Sequence, residues 1–425
     1  MLKKKNIRAL LATAALGLLA SSLAGCSSSP MPPDLGCGVP GGFCAPAASS
    51  ASPPPAEPGY TPPPASAPVR TNPVELGPSD GRPAASGVER RDLQGVRIAL
   101  LLPMQSDAFA QPAEALRAGF MAGYERDRGG VTVNLVPTSD SAQATLDAYA
   151  RASEQNDIVV GPLTRPAVAA LATSGLVSKP TVALNHPQTN GPLPRQMLVV
   201  GLSLEEEASQ VADWAAAEQP GGRALVLTGK TAWQQRLSGA FAARWAQLGL
   251  NNATVELPSS DGYVDPNALA ELRARMQVDP PQLVFAALDP VQLRQVRSAI
   301  GTSLPTYGTG SINPGPDPAM SGPELAGVRI LDLPWTVQPD NPLVASYPRW
   351  SGETGGYDMK RLYALGIDAF RIARELAARP GARFELDGVT GRLSVDMGAG
   401  EGGFRRVETG TVYRDGMYET VAFGR

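Results

Sequence analysis

The clearest hydrophobic pattern in the chain is an apolar run at residues 96–102, in which Arg97 is the single polar position. A run of this kind predicts a strand that is covered on both faces, which is the usual state of a strand in a parallel sheet. Pro103 ends the run. We therefore expect a buried strand here, followed directly by a connection to the next element.

The residues that follow predict a helix. Ser106 and Asp107 are suited to cap its first turn, because their side-chain oxygens can accept from free backbone N–H groups. Farther along, Leu116, Phe120 and Tyr124 recur every four residues and make one apolar stripe. A strand, a short polar loop and a helix in this order form the first half of a βαβ unit.

The same pattern repeats in two series, which a Gln-Pro-Gly-Gly break at residues 219–222 separates. The first series predicts further strands at 131–137, 157–164, 180–185 and 197–202, with helices at 141–154, from 165 and at 204–217. The second predicts strands at 223–229, 253–258, 282–288 and 304–310, with helices that end near 248, 276 and 300. We interpret a further strand at 327–335 as returning to the first series.

The C-terminal part combines a strong helix with antiparallel strands. Residues 361–379 carry an apolar stripe at helical spacing. Residues 384–396 predict a hairpin that turns at 387–388 or at 390–391, and two short strands follow it.

Two successive βαβ series joined by crossing segments predict an α/β fold with two lobes and a cleft between them. We expect residues 96–425 to form this domain. Lobe 1 comprises about 96–218 with returning segments near 327–379, and lobe 2 about 223–318 with part of the C-terminus. This arrangement resembles the type I periplasmic binding proteins.

The first 25 residues are typical of an export signal, since a basic segment at 3–8 precedes a short apolar segment at 9–20. The apolar segment is too short for a comfortable membrane span. Residues 23–26, Leu-Ala-Gly-Cys, resemble the bacterial lipobox, in which the cysteine is lipidated, so we predict a lipid on Cys26. The alternative is ordinary signal cleavage beside an unrelated cysteine. The residue directly after the cysteine is Ser27 and not Asp, which resembles the sorting pattern of outer-membrane lipoproteins. The resemblance implies a lipid-anchored protein that faces the periplasm.

Residues 26–95 predict a lipidated, disordered tether rich in Pro, Ala and Ser, because they contain few side chains able to build a core. Cys37 and Cys44 flank a Pro-Gly-Gly segment and could close a disulfide in an oxidising periplasm. The alternative is two free thiols.

Composition excludes several classes of site. The 425 residues carry a net charge of -3 and no basic block, which argues against a nucleic-acid partner. One histidine, His186, and three cysteines are too few for zinc sites built on several such ligands. The loop at 225–233 lacks the first glycine of a phosphate-binding loop, and no Gly-x-Ser-x-Gly occurs. We therefore predict no catalytic, cofactor or metal site and no enzymatic activity.

Polar residues follow several of the predicted strands: Ser106, Asp107, Thr164, Asn185 and Lys230. The carboxyl ends of parallel strands face ligand crevices in such folds, and helix N-termini there can hold an anion or a carboxylate. These five residues are therefore the candidate lining of an inter-lobe cleft. The alternative is that they only form caps and turns, as such loops generally need.

Four stretches are specific enough to compare with known families, namely residues 96–120, 157–171 with 180–185, 361–377 and 384–396. They resemble the LppC lipoproteins, or penicillin-binding-protein activators, and the resemblance covers about 96–425. It implies a type I periplasmic-binding-protein fold that regulates peptidoglycan synthesis from the outer membrane by contact with a class A penicillin-binding protein. Better-known members carry a helical-repeat domain ahead of this one, where this sequence has its Pro-rich segment.

Two functions fit these features. The first is a regulatory lipoprotein that activates a cell-wall synthase, which the lipobox and the long tether favour. The second is a periplasmic receptor that captures a small molecule between its lobes, such as an amino acid or a peptidoglycan fragment. Large side chains that fill the cleft would argue against the receptor; Phe109, Trp233 and Tyr307 could either fill it or stack on a ligand.

Overall fold

The computed structural model of the protein describes residues 91–188, 191–315, 322–350, 352, 356–398 and 403–422. The predicted signal, the lipobox cysteine Cys26 and the pair Cys37 and Cys44 lie outside the described residues. The predictions made for them therefore stay predictions.

The first sheet begins with the apolar run and is parallel throughout, in the order β2-β1-β3-β4-β5. Its strands are β1 (Arg97–Leu102), β2 (Thr132–Pro137), β3 (Ile158–Val160), β4 (Thr181–Ala183) and β5 (Met197–Val199). The helices between them are α1 (Ala110–Arg126), α2 (Ala142–Gln155) and α3 (Arg165–Thr173). Alternate residues of β1 point to two separate apolar clusters, one with α1 and one with α2 and α3. The prediction of a strand covered on both faces is confirmed.

The helix α1 starts later than its sequence predicts. It begins at Ala110, and no side chain caps it. The backbone oxygen of Ser106 accepts from the N–H groups of Phe109 and Ala110, at 3.2 and 2.8 Å, so a turn precedes the helix. The prediction that Ser106 and Asp107 cap α1 is therefore wrong, because the backbone of the turn provides the acceptor instead.

The second sheet is mixed and has the order β17-β16-β12-β11-β10-β6-β7 among the described residues. The elements from residue 204 to 300 are α4 (Leu204–Glu218), β6 (Ala224–Thr228), α5 (Ala232–Gln247), β7 (Asn252–Glu256), β8 (Ser259–Ser260), β9 (Tyr263–Val264), α6 (Pro266–Val278), β10 (Leu283–Ala287) and α7 (Pro290–Ile300). The later elements are β11 (Thr306–Thr309), β12 (Arg329–Asp332), α8 (Pro334–Val337), α9 (Pro342–Ala345), α10 (Tyr357–Ala378), β13 (Phe384–Asp387), β14 (Arg392–Val395), β15 (Phe404–Val407), β16 (Thr409–Arg414) and β17 (Met417–Thr420). Helices α4 and α5 cover one face of this sheet, and α6 and α7 cover the other.

The strand within residues 327–335 belongs to the second sheet. It is β12, which pairs in parallel with β11 and antiparallel with β16. The interpretation that this strand returns to the first series is therefore wrong. The chain returns to the first lobe only afterwards, through α10 and a separate antiparallel sheet of β13, β14 and β15, whose apolar residues join the same core as α1.

Helices α1 and α10 approach each other unusually closely. A Cβ atom placed on Gly119 of α1 would lie 1.9 Å from the backbone oxygen of Tyr363 in α10. Only glycine permits such an approach, so this position fixes how α10 packs on the first lobe.

The folded part also begins earlier than the predicted boundary at residue 95. The N–H of Arg91 donates to the oxygen of Ala378 at 3.0 Å, and Leu93 lies buried in the core of the first lobe. Because the five residues before Val96 are mostly polar, their sequence does not indicate that Leu93 is part of the core.

The chain passes between the two lobes at three places in the described part. These crossings are residues 200–203 between β5 and α4, Leu333 between β12 and α8, and Glu408 between β15 and β16.

Candidate functional site

The predicted cleft residues lie at the ends of strands, and two of them bind neighbouring loops of the first lobe. Ser106 is buried and its hydroxyl donates to Asp140 at 3.3 Å. Thr164 is buried at the start of α3. The side-chain amide of Asn185 donates to the oxygen of Leu163 at 3.0 Å.

The structure brings three of these residues to one edge, because β1, β3 and β4 are neighbours in the first sheet. Asp107 on the same sheet and Lys230, which follows β6 on the second, are exposed. A ligand role for these five residues stays a prediction.

The large side chains that could fill the cleft or stack on a ligand mostly pack elsewhere. Tyr307 is fully buried under α4, where its ring meets Trp214 edge to face at 5.6 Å and its hydroxyl donates to Glu218 at 2.7 Å. Burial raises the pKa of Tyr307, which keeps that hydroxyl a donor. Trp233 packs against the same cluster, and Phe109 is exposed. Tyr307 and Trp233 therefore belong to the core of the second lobe.

A cluster of buried charges lies where the three crossings meet, and we call it the lobe junction. Its charged members are Glu207 in α4, Asp332 at the end of β12, Arg361 in α10, Arg406 in β15 and Glu408 in the third crossing. Their exposed fractions are 1%, 0%, 6%, 4% and 5%, respectively. Charges this deeply buried are costly unless they are paired, so the pairing determines what the junction does.

Local sequence places Glu207 in the first turn of α4. The hydroxyl of Ser203 caps that helix by accepting from the N–H of Glu206 at 3.2 Å. Three glutamates follow in the first turn, where the helix dipole favours negative charge. Of these, Glu207 faces inward.

Arg361 joins the lobes at the centre of the junction. Its guanidinium donates to Glu207 of α4, the helix that packs on the second sheet, and, at 3.2 Å, to Asp332 at the end of β12. The hydroxyl of Tyr357, one turn earlier on α10, donates to Asp332 at 2.6 Å and accepts from Arg361 at 2.9 Å. Burial alone would lower the pKa of Arg361, but Glu207 and the other negative groups more than offset it and raise that pKa well above its ordinary value.

Arg406 holds the first crossing. Its guanidinium donates to the backbone oxygens of Val200 and Gly201 at 2.8 and 3.0 Å, and to the hydroxyl of Thr390 at 3.1 Å. The imidazole Nε2 of His186 also lies 3.2 Å from the oxygen of Gly201. His186 therefore has a structural contact at the same crossing.

The third crossing and the nearby loop complete the arrangement. The backbone N–H of Glu408 donates to the side-chain oxygen of Gln210 in α4 at 3.2 Å. Gly310 approaches so closely that an added Cβ would lie 1.7 Å from the hydroxyl of Tyr357. The side-chain amide of Asn313 then donates to Asp332 at 2.8 Å. Elements of both lobes thus meet in two hydrogen-bonded groups, one around Arg361 and one around Arg406, which resist a change in the angle between the lobes.

A cavity of about 750 Å³ lies beside the junction. Its walls include Trp335, Trp350, Tyr357, Lys360 and Tyr418, and none of the five predicted cleft residues lines it. The guanidinium of Arg349 stacks 4.6 Å above the ring of Trp335. Sequence reasoning did not single out this aromatic group.

No group of three or more His, Cys, Asp or Glu side chains among the described residues could hold a metal ion. No helix in the same ranges has the length and apolar character that a membrane crossing requires.

Comparison with known proteins identifies the family. The model of the family described as "LppC putative lipoprotein" matches residues 91–400. The chain belongs to the LppC family. This match confirms the resemblance seen in the sequence.

Curated relatives carry the name penicillin-binding protein activator LpoA. The protein of Mannheimia succiniciproducens is 29% identical over 322 residues, which are 70% of this chain and 51% of that relative. The protein of Haemophilus influenzae is 25% identical over 343 residues, which are 77% of this chain and 55% of the relative. The chain thus spans about half the length of the curated relatives it matches.

Solved structures share the fold. Full-length LpoA from Haemophilus influenzae superposes with a TM-score of 0.61 at 25% identity, over 78% of this chain and 60% of that one. A structure described as a "putative branched-chain amino acid ABC transporter" from Chromobacterium violaceum has a TM-score of 0.62 at 33% identity, over 75% of this chain and 100% of that one. The prediction of a two-lobed, type I periplasmic-binding-protein fold is confirmed.

Proposed function

We propose that this LppC-family protein is an outer-membrane lipoprotein that binds and activates a class A penicillin-binding protein and so regulates peptidoglycan synthesis. The observation that carries the proposal is the match of most of the folded part to relatives named penicillin-binding protein activators. The lipobox at Cys26 supplies the anchor, and the Pro-rich segment after it supplies reach toward a partner in the periplasm.

The lobe junction supports regulation by protein contact over capture of a solute. A receptor that closes on a small molecule needs a hinge that bends. Here Arg361 and Arg406 tie the crossings together through buried bonds, and a bend would expose or unpair charges. A fixed angle between the lobes suits a surface that must stay preorganised for a protein partner, because binding then costs less ordering. We propose that the protein acts in this way without catalysis.

The Chromobacterium structure favours a second candidate, a receptor for an amino acid or a peptidoglycan fragment, because its description concerns amino-acid transport. A binding experiment separates the two. The full-length protein is immobilised in detergent and offered a class A penicillin-binding protein, and calorimetry with amino acids and muropeptides is run in parallel. The proposal expects saturable capture of the synthase with no added small molecule. A tight small ligand together with no capture of the synthase would establish the receptor instead.

A further inference from the structure

The cavity beside the lobe junction has the size and lining of a small-molecule site. Its volume is about 750 Å³, within the range of about 300–1,000 Å³ that such sites usually have. Its wall is built from α8 and the loop that follows it, from the start of α10 and from the turn between β16 and β17. None of the predicted cleft residues contributes to this wall, so the cavity is separate from the predicted cleft.

Arg349 presents a fixed positive charge at the wall of this cavity. Its guanidinium donates to the backbone oxygens of Trp335 and Pro339, both at 3.1 Å, and stacks 4.6 Å above the ring of Trp335. These two bonds use fewer than half of the N–H donors that a guanidinium has, so others are left for a ligand. The backbone contacts hold the group in place without neutralising its charge. It is therefore preorganised to bind an anion.

Lys360 brings a second positive charge to the same wall. It is exposed, and it is the fourth residue of α10, near the end of the helix where the dipole disfavours a cation. Within the described ranges, neither Lys360 nor Arg349 forms an ion pair. Asp340 is the one acid among the described residues of the wall. The cations therefore outnumber the acids here, which favours an anionic ligand.

Several uncharged polar groups of the wall already bind one another. The side-chain amide of Gln338 donates to the hydroxyl of Thr420 at 3.0 Å. The hydroxyl of Tyr418 donates to the side-chain oxygen of Asn313. These contacts leave the two cations as the strongest donors in the wall. Such donors bind a carboxylate more strongly than a neutral polar group.

The apolar part of the wall consists of rings that other rings hold in place. Trp350 is partly exposed, and its ring lies 5.7 Å from the ring of Tyr363. Tyr418 is also partly exposed, and its ring meets Tyr413 edge to face at 5.3 Å. The side chain of Met417 is 69% exposed beside them. A ligand with a ring-shaped body would cover this surface and remove it from water.

We propose that this cavity binds a carboxylate carried on a ring, with Arg349 and Lys360 at the carboxylate and with Trp350 and Tyr418 against the ring. Aromatic rings and sugar rings share this chemistry, because both present C–H groups or a face of low polarity to an aromatic wall. The ligand would contact α10, which packs on the first lobe, and β17, which belongs to the second sheet. The site goes beyond synthase binding, because it is filled without a synthase.

Calorimetry with the full-length protein in detergent tests the proposal with four probes. Two carry the carboxylate: 3-phenylpropionate on an aromatic ring and N-acetylmuramate on a sugar ring. Their neutral counterparts are 3-phenylpropionamide and N-acetylglucosamine. We expect saturable binding of at least one acid, and binding of its neutral counterpart that is weaker by about tenfold or more, because the charge-assisted bonds are lost. The acid that binds identifies the kind of ring that the site accepts.

Variants locate the bound acid in the cavity. Arg349→Met and Lys360→Met should each weaken its binding by about fivefold or more, whereas Lys360→Arg keeps the charge and should retain binding. Trp350→Leu should also weaken it, because the ligand loses a ring to pack against. Lys230→Met removes an exposed cation outside this cavity and should bind the acid as the wild type does. Lys360 is exposed, so its replacement should leave the fold intact even where Arg349→Met loosens the wall.

The proposal is overturned by a wild type that neither acid saturates at millimolar concentration, or by a neutral counterpart that binds as tightly as the acid. Wild-type affinity in Lys360→Met would also overturn it, because the acid would then occupy another place. No synthase is present in these measurements, so a failure here is distinct from a failure of synthase capture.

Discussion

The substitution Arg361→Met tests whether the lobe junction holds the fold as its contacts indicate. Methionine keeps most of the side-chain length but removes the charge and all donors. Glu207 and Asp332 would then remain buried without the cation that both contact. Removing one partner of a buried ion pair costs about 3–5 kcal/mol, and two carboxylates lose their partner here, so we expect a loss of about 5 kcal/mol.

A loss of this size is large, because the total free energy of unfolding of a protein is about 5–15 kcal/mol. Urea denaturation of the full-length protein, followed by tryptophan fluorescence, measures it. Arg244→Met is the matched control, because Arg244 on α5 pairs with Asp213 at the surface, where both side chains are well exposed. Exposed pairs contribute about 0–1 kcal/mol, so this variant should change little.

A double variant separates the lost pairing from simple loss of packing. In Arg361→Met with Glu207→Gln, one of the two stranded charges is also removed, so the double variant should lose less stability than the sum of the two single losses. Equal losses in Arg361→Met and Arg244→Met, or strict additivity in the double variant, would refute the view that Arg361 neutralises a buried junction.

Three further predictions concern other parts of the molecule. Gly119→Ala should destabilise the protein by about 1–3 kcal/mol or more, since its Cβ meets the backbone of α10, whereas Gly239→Ala on α5, where nothing lies within 4 Å, should be neutral or slightly stabilising in the same denaturation assay. Cys26→Ala should release the protein from the outer-membrane fraction, and an unchanged distribution would contradict lipidation. Limited proteolysis should leave a stable fragment that still contains Leu93, because this residue is buried; a fragment starting at Val96 with unchanged stability would contradict its role.

Much of the fold could be predicted because the spacing of hydrophobic residues indicates which segments form helices and which form strands. The run before Pro103 and the stripe of Leu116 and Phe120 both match the structure. Spacing does not report which strands pair. The strand within 327–335 joins the second sheet and not the first, because its neighbours come from the distant segments 306–309 and 409–414, which no local feature identifies.

The junction was harder to predict, although the sequence holds one signal for it. Arg361 and Asp368 stand at helical spacing from Leu365 and Ile372, so they fall on the buried face of α10 and not opposite to it. A charge on an apolar face indicates a buried partner. That partner, Glu207, lies 154 residues away in the sequence. Local spacing cannot identify it, because the contact depends on how the chain crosses between the lobes.

Peptidoglycan synthesis in the presence of the protein tests the central claim most directly. The full-length lipoprotein is titrated into a class A penicillin-binding protein with lipid-linked precursor, and the rates of glycan polymerisation and of peptide cross-linking are recorded. We predict a saturable increase in at least one rate with no added small molecule. The variant Glu385→Gln, which replaces an exposed glutamate of β13, should give the same increase when it is used instead of the wild type. Rates that stay at the level of the synthase alone across the titration would contradict the account.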